Sequence, residues 1–286
     1  MAARCVGTIR SVRLIDSHAH LQADRFAGDV DLVVGAARLA GVERILVPGW
    51  DPESCRGAVD LVERFSWLDA AVGVHPHDAA RVDESAWAEI VELAADDRVV
   101  AIGETGLDFD RVFSPIPDQI ANLRRNLELA LVLGKPAILH CRSAQGRRDA
   151  QDGLLAELRR AGFGHQEALQ RFDGRPAAVV HSYSGPLDYA REVLDLGLAI
   201  SISGLAFRAG EAATSEVVRL VPADRLLVET DCPFLSPPGA PRKRNEPEWV
   251  RMTAAWVAQE RGEDADAFGA ALVAAYDRTF PRPQRG

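Results

Sequence analysis

Lysine and cysteine are both scarce in this 286-residue sequence. Only two of the 33 basic residues are lysines, and acidic residues outnumber basic ones to give a net charge of −9. The surface as a whole therefore does not attract a phosphate backbone, and any contact with nucleic acid must be local. The cysteines are Cys5, Cys55, Cys141 and Cys232. Their spacing shows no pairs, so we expect reduced, structural thiols rather than disulfides or a cysteine zinc site.

Long apolar runs are absent as well. No segment reaches the length of a membrane span, and residues 1–12 contain no apolar run long enough for a signal peptide. We therefore expect a cytoplasmic protein without membrane contacts. The composition, 47% hydrophobic and 26% charged residues, is typical of a globular chain that folds alone.

Eight short apolar or β-branched runs end at polar residues, glycine or proline, and they predict strands. They cover residues 12–17, 44–48, 68–74, 98–103, 136–140, 177–181, 198–202 and 225–230. Helical patterns lie between them, over residues 51–65, 83–95, 118–133, 186–196, 247–260 and 264–276. This alternation predicts an α/β fold, a (β/α)8 TIM barrel of about 250 residues. We assign residues 1–286 to this one domain, with 1–12 as a short N-terminal extension and 281–286 as a tail.

The alternative fold is an open, doubly wound sheet, which requires a glycine-rich loop after the first strand. Residues 16–20 have the sequence DSHAH there instead. One crossover, residues 142–176, is long for a barrel. We interpret its 163–176 part as an insertion or an extended loop.

Six of the seven histidines lie at the C-terminal edge of a predicted strand. They are His18, His20, His75, His77, His140 and His181, and His165 is the exception. Barrels of this type carry their catalytic residues at that edge. One such histidine would more often be a satisfied polar side chain than a ligand, but six converging imidazoles indicate a metal site.

The first ion is expected at the seam of the barrel. His18 and His20 are two residues apart on an extended segment, so both side chains point the same way. Asp231 ends strand eight, which neighbours strand one in a closed barrel, and it is the natural third ligand. Glu229 and Asp16 have the same parity as Asp231 and His18. For each, a buried group that orients a neighbour is as plausible as a direct role.

A second ion is expected beside the first. Glu104 stands between two glycines after strand four, where a carboxylate can bridge two ions, and His140 and His181 can hold the second one. Some metal-dependent barrels use a carboxylated lysine as the bridge. Lys135 lies at the wrong end of its strand and Lys243 lies well past strand eight, so the bridging role falls to Glu104 by elimination.

Eight segments follow one another in a recognisable order. They are IDSHAHL (15–21), GVHPH (73–77), GETGLD (103–108), LHCR (139–142), HSYSG (181–185), ISISG (200–204), LVETDCP (227–233) and RNEP (244–247). Together they resemble the TatD family of metal-dependent deoxyribonucleases, within the amidohydrolase-like barrels. The resemblance covers nearly the whole chain. It implies that His18, His20 and Asp231 hold one ion, that His140 and His181 hold another, and that Glu104 bridges them.

The resemblance also implies that His75 lies near a substrate phosphate and that the substrate is nucleic acid, with degradation from the 3′ end. Two ions can activate a water and stabilise the phosphate charge, with Asp231 as the proton acceptor. Candidate phosphate-binding residues are Arg142, Arg208 and Arg244, and candidate stacking residues are Tyr183, Phe109 and Phe234. We expect a deoxyribonuclease that acts on single-stranded DNA ends.

Two alternatives stay open at this point. The first is a metal-dependent amidohydrolase or deacylase acting on a C–N or ester bond, because the barrel alone does not exclude it. The second is a non-catalytic relict, which would have lost a ligand, although none of the six positions is lost. The mixed donors also leave the metal open among Mg²⁺, Mn²⁺ and Zn²⁺, with Fe²⁺ and Co²⁺ as further choices.

Overall fold

The computed structural model describes residues 12–282. At its centre lies a sheet of eight parallel strands in chain order, each paired with the next. The strands are β1 (Leu14–Asp16), β2 (Val42–Pro48), β3 (Leu68–Val72), β4 (Val99–Asp108), β5 (Ala137–Arg142), β6 (Ala178–Val180), β7 (Ala199–Ile202) and β8 (Leu226–Val228). All eight predicted strands are present. The largest difference is that β4 continues to Asp108, because it stays buried and paired with β5 as far as Arg142.

The sheet closes between β1 and β8. The Ser17 amide donates to the Val228 carbonyl at 3.0 Å, and the Asp231 amide donates to the His18 carbonyl at 2.9 Å. The predicted TIM barrel is therefore confirmed, and the open sheet is excluded. Because all the strands are parallel, their carboxyl ends meet at one rim of the barrel.

Ten helices pack around the barrel within residues 12–282. They are α1 (Val30–Leu39), α2 (Pro52–Arg64), α3 (Glu84–Ala94), α4 (Ile116–Leu133), α5 (Asp149–Ala161), α6 (Gln166–Arg171), α7 (Leu187–Asp195), α8 (Thr214–Leu220), α9 (Val250–Arg261) and α10 (Ala265–Thr279). Local chemistry fixes their ends. The Asp51 side chain accepts from the Ser54 amide at 2.8 Å before α2, and Gly134, with φ of 65°, ends α4.

None of these helices is both long and apolar enough to cross a membrane. The cytoplasmic location stays a prediction. Cys55, Cys141 and Cys232 are buried and free, as predicted. Cys5, most of the N-terminal extension and residues 283–286 of the tail lie outside the described residues.

The segment 163–176 is not an extended loop. It contains the short helix α6, and Phe163 and Phe172 on either side of that helix are fully buried. Two buried phenylalanines attach this segment to the core, so the prediction of an extended loop is wrong. The apolar spacing was too short to identify a helix of six residues from the sequence.

Candidate active site at the carboxyl rim of the barrel

A cavity of about 1260 Å³ opens at the carboxyl ends of the strands. Five histidines line it: His20, His75, His77, His140 and His181. The sixth predicted rim histidine, His18, is fully buried and stacks on His181 with ring centroids 3.9 Å apart. The strand ends thus bring together all six imidazoles that the sequence analysis selected.

His18, His20 and Asp231 form one cluster. The Nε2 atoms of the two imidazoles are 3.2 Å apart. Asp231 Oδ1 lies 3.4 Å from His20 Nε2 and 3.8 Å from His18 Nε2. These are the three residues predicted to share the first ion, and the closed seam between β1 and β8 brings them together.

Glu104 lies between this cluster and a second one. Its Oε2 atom is 3.2 Å from His18 Nε2 and 3.6 Å from His20 Nε2. Its Oε1 atom is 2.9 Å from His181 Nε2 and 3.1 Å from His140 Nδ1. One carboxylate therefore faces two sets of imidazoles with different oxygens, which is the arrangement that a bridging ligand needs.

The approach of β4 to β5 places Glu104 next to His140. Gly106 pairs with His140 in the sheet and has φ of 145°. A Cβ atom on Gly106 would lie 1.9 Å from the His140 carbonyl oxygen. Only glycine allows the two strands to come this close. The second glycine of the GETG sequence is therefore needed to place Glu104 beside His140.

Hydrogen bonds on the outer ring nitrogens identify the atoms that are free to bind metal. His20 Nδ1 donates to the Pro48 carbonyl at 3.3 Å, and His181 Nδ1 donates to Glu229 Oε1 at 3.2 Å. This leaves an Nε2 lone pair on each ring facing the cluster. His140 is reversed, because its Nε2 faces Asp108 Oδ2 at 3.4 Å and its Nδ1 faces Glu104.

His75 has the opposite arrangement. Its Nδ1 accepts the backbone N–H of His77 at 3.1 Å, so the proton of the neutral ring is on Nε2. That Nε2 lies 3.2 Å from Glu104 Oε1. Burial lowers the pKa of His75 to about 4, against the opposing effect of Glu104, so the ring is neutral near pH 7. His75 is thus a neutral hydrogen-bond donor at the edge of the second cluster.

Asp16 and Glu229, whose roles the sequence left open, both orient other groups. Asp16 accepts from Thr230 Oγ1 at 2.6 Å, from the Thr230 amide at 2.9 Å and from the His18 amide at 3.3 Å. It fixes the β8 end against β1. Burial raises the pKa of Asp16 to about 8, although the hydrogen bonds from Thr230 oppose this. Glu229 is fully buried and binds the outer nitrogen of His181.

The imidazoles keep the two central carboxylates ionised. Burial alone would raise the pKa of Glu104, but His75, His181 and His18 hold it well below its ordinary value. Burial alone would also raise the pKa of Asp231, but the hydrogen bond with His20 brings that pKa below its ordinary value. Carboxylates that stay charged at neutral pH suit both cation binding and proton acceptance.

The donor set fits divalent metal ions. With metal–nitrogen bonds of about 2.0–2.1 Å and tetrahedral angles, two imidazole nitrogens on one ion are about 3.3 Å apart. His18 and His20 match this spacing at 3.2 Å, and His140 Nδ1 and His181 Nε2 are 3.5 Å apart. Two unprotonated nitrogens at such distances repel each other unless a proton or a cation lies between them.

Two of the predicted phosphate-binding arginines line the cavity, Arg142 and Arg208. The third, Arg244, does not. Its guanidinium binds both Asp29 oxygens at 2.8 Å and Glu246 at 2.7 Å. These ion pairs occupy the donors that a phosphate would need.

Of the three predicted stacking residues, only Phe234 lines the cavity. Tyr183 is 1% exposed and donates its hydroxyl to the Pro186 carbonyl at 2.7 Å, so no base can reach its ring in this structure. Phe109 packs against the core. Phe234 lines the cavity, and its ring is 6.3 Å from the His20 ring.

Sequence reasoning missed the part played by Asp108. This buried carboxylate accepts from His77 Nε2 at 2.7 Å and also faces His140, so it fixes two rim imidazoles. Burial would raise the pKa of Asp108, but its hydrogen bonds with His140 and His77 lower it. The sequence did contain a signal for this role. Asp108 is the last residue of the GETGLD segment and lies four residues after Glu104, so on an extended strand both side chains point to the same face.

Comparison with known proteins agrees with this geometry. The family model described as TatD related DNase matches residues 15–281. YabD of Bacillus subtilis, an uncharacterized metal-dependent hydrolase, is 36% identical over 246 residues, which are 86% of this chain and 90% of the relative. The 3′-5′ ssDNA/RNA exonuclease TatD of Klebsiella pneumoniae is 37% identical over 257 residues, covering 88% and 91% of the two chains.

Solved structures give the same result. The TatD homologue YjjV of Escherichia coli K12 superposes with a TM-score of 0.82 at 29% identity, over 95% of this chain and 99% of that one. A TatD family hydrolase from Entamoeba histolytica has the same TM-score at 21% identity and supports the fold alone. The matched span contains all six predicted metal ligands and every strand except the first residue of β1. The chain belongs to the TatD-related DNase family.

Proposed function

We propose that this protein is a two-metal exonuclease that removes nucleotides from the 3′ end of single-stranded DNA. The observation that carries the proposal is Glu104, whose two oxygens face separate imidazole clusters. The similarity to the 3′-5′ ssDNA/RNA exonuclease TatD of Klebsiella pneumoniae supports the polarity and the single-stranded substrate.

In this proposal, His18, His20 and Asp231 would hold the first ion, His140 and His181 would hold the second, and Glu104 would be the ligand shared by both. Divalent ions there would supply Lewis-acid stabilisation of the phosphate charge and lower the pKa of water. Imidazole with carboxylate suits Zn²⁺ or Mn²⁺, and Mg²⁺ is the weaker fit because it prefers oxygen donors.

Asp231 is the proposed proton acceptor. Its side chain is 15% exposed and lines the cavity, so substrate and water can reach it. Its lowered pKa keeps it ionised at neutral pH. A carboxylate at hydrogen-bond distance from the attacking water can take its proton.

Three groups are proposed to bind phosphate. The Nε2–H of His75 is a neutral donor beside the second cluster. Arg142 and Arg208 line the cavity and carry fixed positive charge. Two arginines at the cavity wall favour a phosphodiester over the amide or ester substrate of the alternative deacylase.

Digestion of end-labelled single-stranded DNA tests this function. The protein is stripped with chelator, and Mg²⁺, Mn²⁺ or Zn²⁺ is then restored in turn. We expect stepwise loss of nucleotides from the 3′ end with at least one metal, and none before restoration. Cleavage of generic amides or aryl esters without any cleavage of DNA or RNA would overturn the proposal in favour of the deacylase.

A further inference from the structure

Two phenylalanines stand out from all other aromatic residues. Of the Phe, Tyr and Trp side chains in residues 12–282, only Phe113 and Phe234 are exposed, at 65% and 54% of their surface. An exposed phenylalanine contributes little to the stability of a fold, because its ring is not removed from water. Two of them beside one cavity therefore call for a functional explanation.

Each ring lies against a different histidine of the active site. The Phe113 ring packs edge-on against His77, with centroids 4.7 Å apart. The Phe234 ring is 6.3 Å from the His20 ring. His77 belongs to the side of the second cluster and His20 to the first. The two phenylalanines thus lie beside different imidazoles, one on the side of each cluster that Glu104 faces.

The backbone beside each ring is strained. Val112, just before Phe113, has φ of 46°, and Leu235, just after Phe234, has φ of 49°. A branched or bulky residue rarely adopts this left-handed conformation. Strain of this kind persists where the surroundings impose it, and it is concentrated at binding sites. Each strained residue adjoins an exposed ring: Phe234 lines the cavity, and Phe113 packs on His77, which lines it.

We propose that Phe113 and Phe234 are substrate-positioning residues that stack the two nucleobases flanking the scissile phosphate. This inference rests on the proposed exonuclease function and adds the origin of its preference for single strands. A phosphate at Glu104 carries one nucleoside on each side, and the two rings lie beside two different imidazoles of the site, His77 and His20. Bases paired in a duplex are stacked on each other and cannot occupy both rings.

Stacking of this kind predicts sequence-tolerant recognition. Every base has a π-face, so a phenylalanine accepts purines and pyrimidines alike. The contact is made in the bound substrate and in the transition state equally. Its removal should therefore raise KM and leave kcat nearly unchanged.

The test compares two single-stranded oligothymidylates, one intact and one with abasic residues in its two 3′-terminal positions. Phe113→Ala and Phe234→Ala should each raise KM for the intact oligonucleotide by about 5- to 150-fold, the range expected for one lost stacking contact. The same variants should scarcely change KM for the abasic one. Phe113→Trp and Phe234→Trp should restore binding. Leu39→Ala is the matched control, because it removes an apolar side chain that is 88% exposed on α1. It should change KM for neither oligonucleotide.

An equal rise in KM for the intact and the abasic oligonucleotide, or no rise for either, would overturn the stacking proposal. Binding by fluorescence anisotropy in the metal-loaded Asp231→Asn background separates it from the proposed function. If the alanine substitutions weaken binding of the intact oligonucleotide only, the stacking proposal holds whether or not the wild-type protein cuts DNA. If wild-type protein with metal leaves the oligonucleotide uncut, the exonuclease proposal is wrong, independently of the binding result.

Discussion

Glu229 Oε1 lies 3.2 Å from His181 Nδ1, and both side chains are buried. The two residues follow β6 and β8, which β7 separates in the sheet, and they lie 48 positions apart in the sequence. The carboxylate holds a proton on His181 Nδ1 and so turns Nε2 toward Glu104, whose Oε1 is 2.9 Å away.

Glu229→Gln should weaken metal binding at the second position. The amide keeps the shape of the side chain but removes the charge that makes His181 a stronger donor. Loss of such an outer partner typically lowers metal affinity by about 10- to 100-fold. Isothermal titration calorimetry with Zn²⁺ or Mn²⁺ measures the change. Unchanged affinity at both positions would mean that Glu229 has only a packing role.

Metal content should approach two ions per chain after reconstitution. Six ligand-type side chains at five strand ends, with Glu104 between two clusters, are the basis for this expectation. Elemental analysis by mass spectrometry, after removal of excess metal, gives the number of metal ions per chain. Glu104→Gln is the informative comparison, because it removes the charge shared by both ions. A wild-type value that stays below one would contradict the two-metal site.

Asp231→Asn should leave the barrel folded and remove most of the turnover. The substitution keeps the size of the side chain while removing a metal ligand charge and the proposed proton acceptor. Loss of a general base lowers the rate by about 10²- to 10⁴-fold, and saturating metal should not restore it. Circular dichroism melting and metal-saturated turnover are measured on the same preparation. A variant that melts at a lower temperature yet keeps its rate would assign Asp231 a structural role instead.

The three arginines should differ in their salt dependence of DNA binding. Arg142→Ala and Arg208→Ala should each reduce the magnitude of the slope of log affinity against log salt by about one. Arg244→Ala should leave the slope unchanged and lower the melting temperature instead, because that guanidinium is bound to Asp29 and Glu246. A reduced slope for Arg244→Ala would show that its ion pairs open when DNA binds.

The sequence was sufficient to predict the barrel and the meeting of six histidines with Glu104 and Asp231 at its rim, for a local reason. His18 and His20 share a strand face by their spacing alone, and parallel strands deliver every carboxyl end to the same rim. The same reasoning did not reveal the ion pair that holds Arg244, because its partner Asp29 is 215 positions away and no local pattern indicates the contact. It did not reveal the burial of Tyr183, because the hydroxyl bond to Pro186 depends on a turn that periodicity does not describe. Phe113 was missed because exposure is a tertiary property.

The hydrogen bonds of Asp16 to Thr230 have a consequence for synthesis of the protein. They join residues 214 positions apart, and the proposed first metal site takes its ligands from both sides of this contact. A ribosome must therefore release nearly the entire barrel before His18 and His20 can meet Asp231. An incomplete chain would hold two histidines without their carboxylate partner, so early metal capture would be weak. Only the finished barrel would acquire a working centre, and truncated products would remain inert toward DNA.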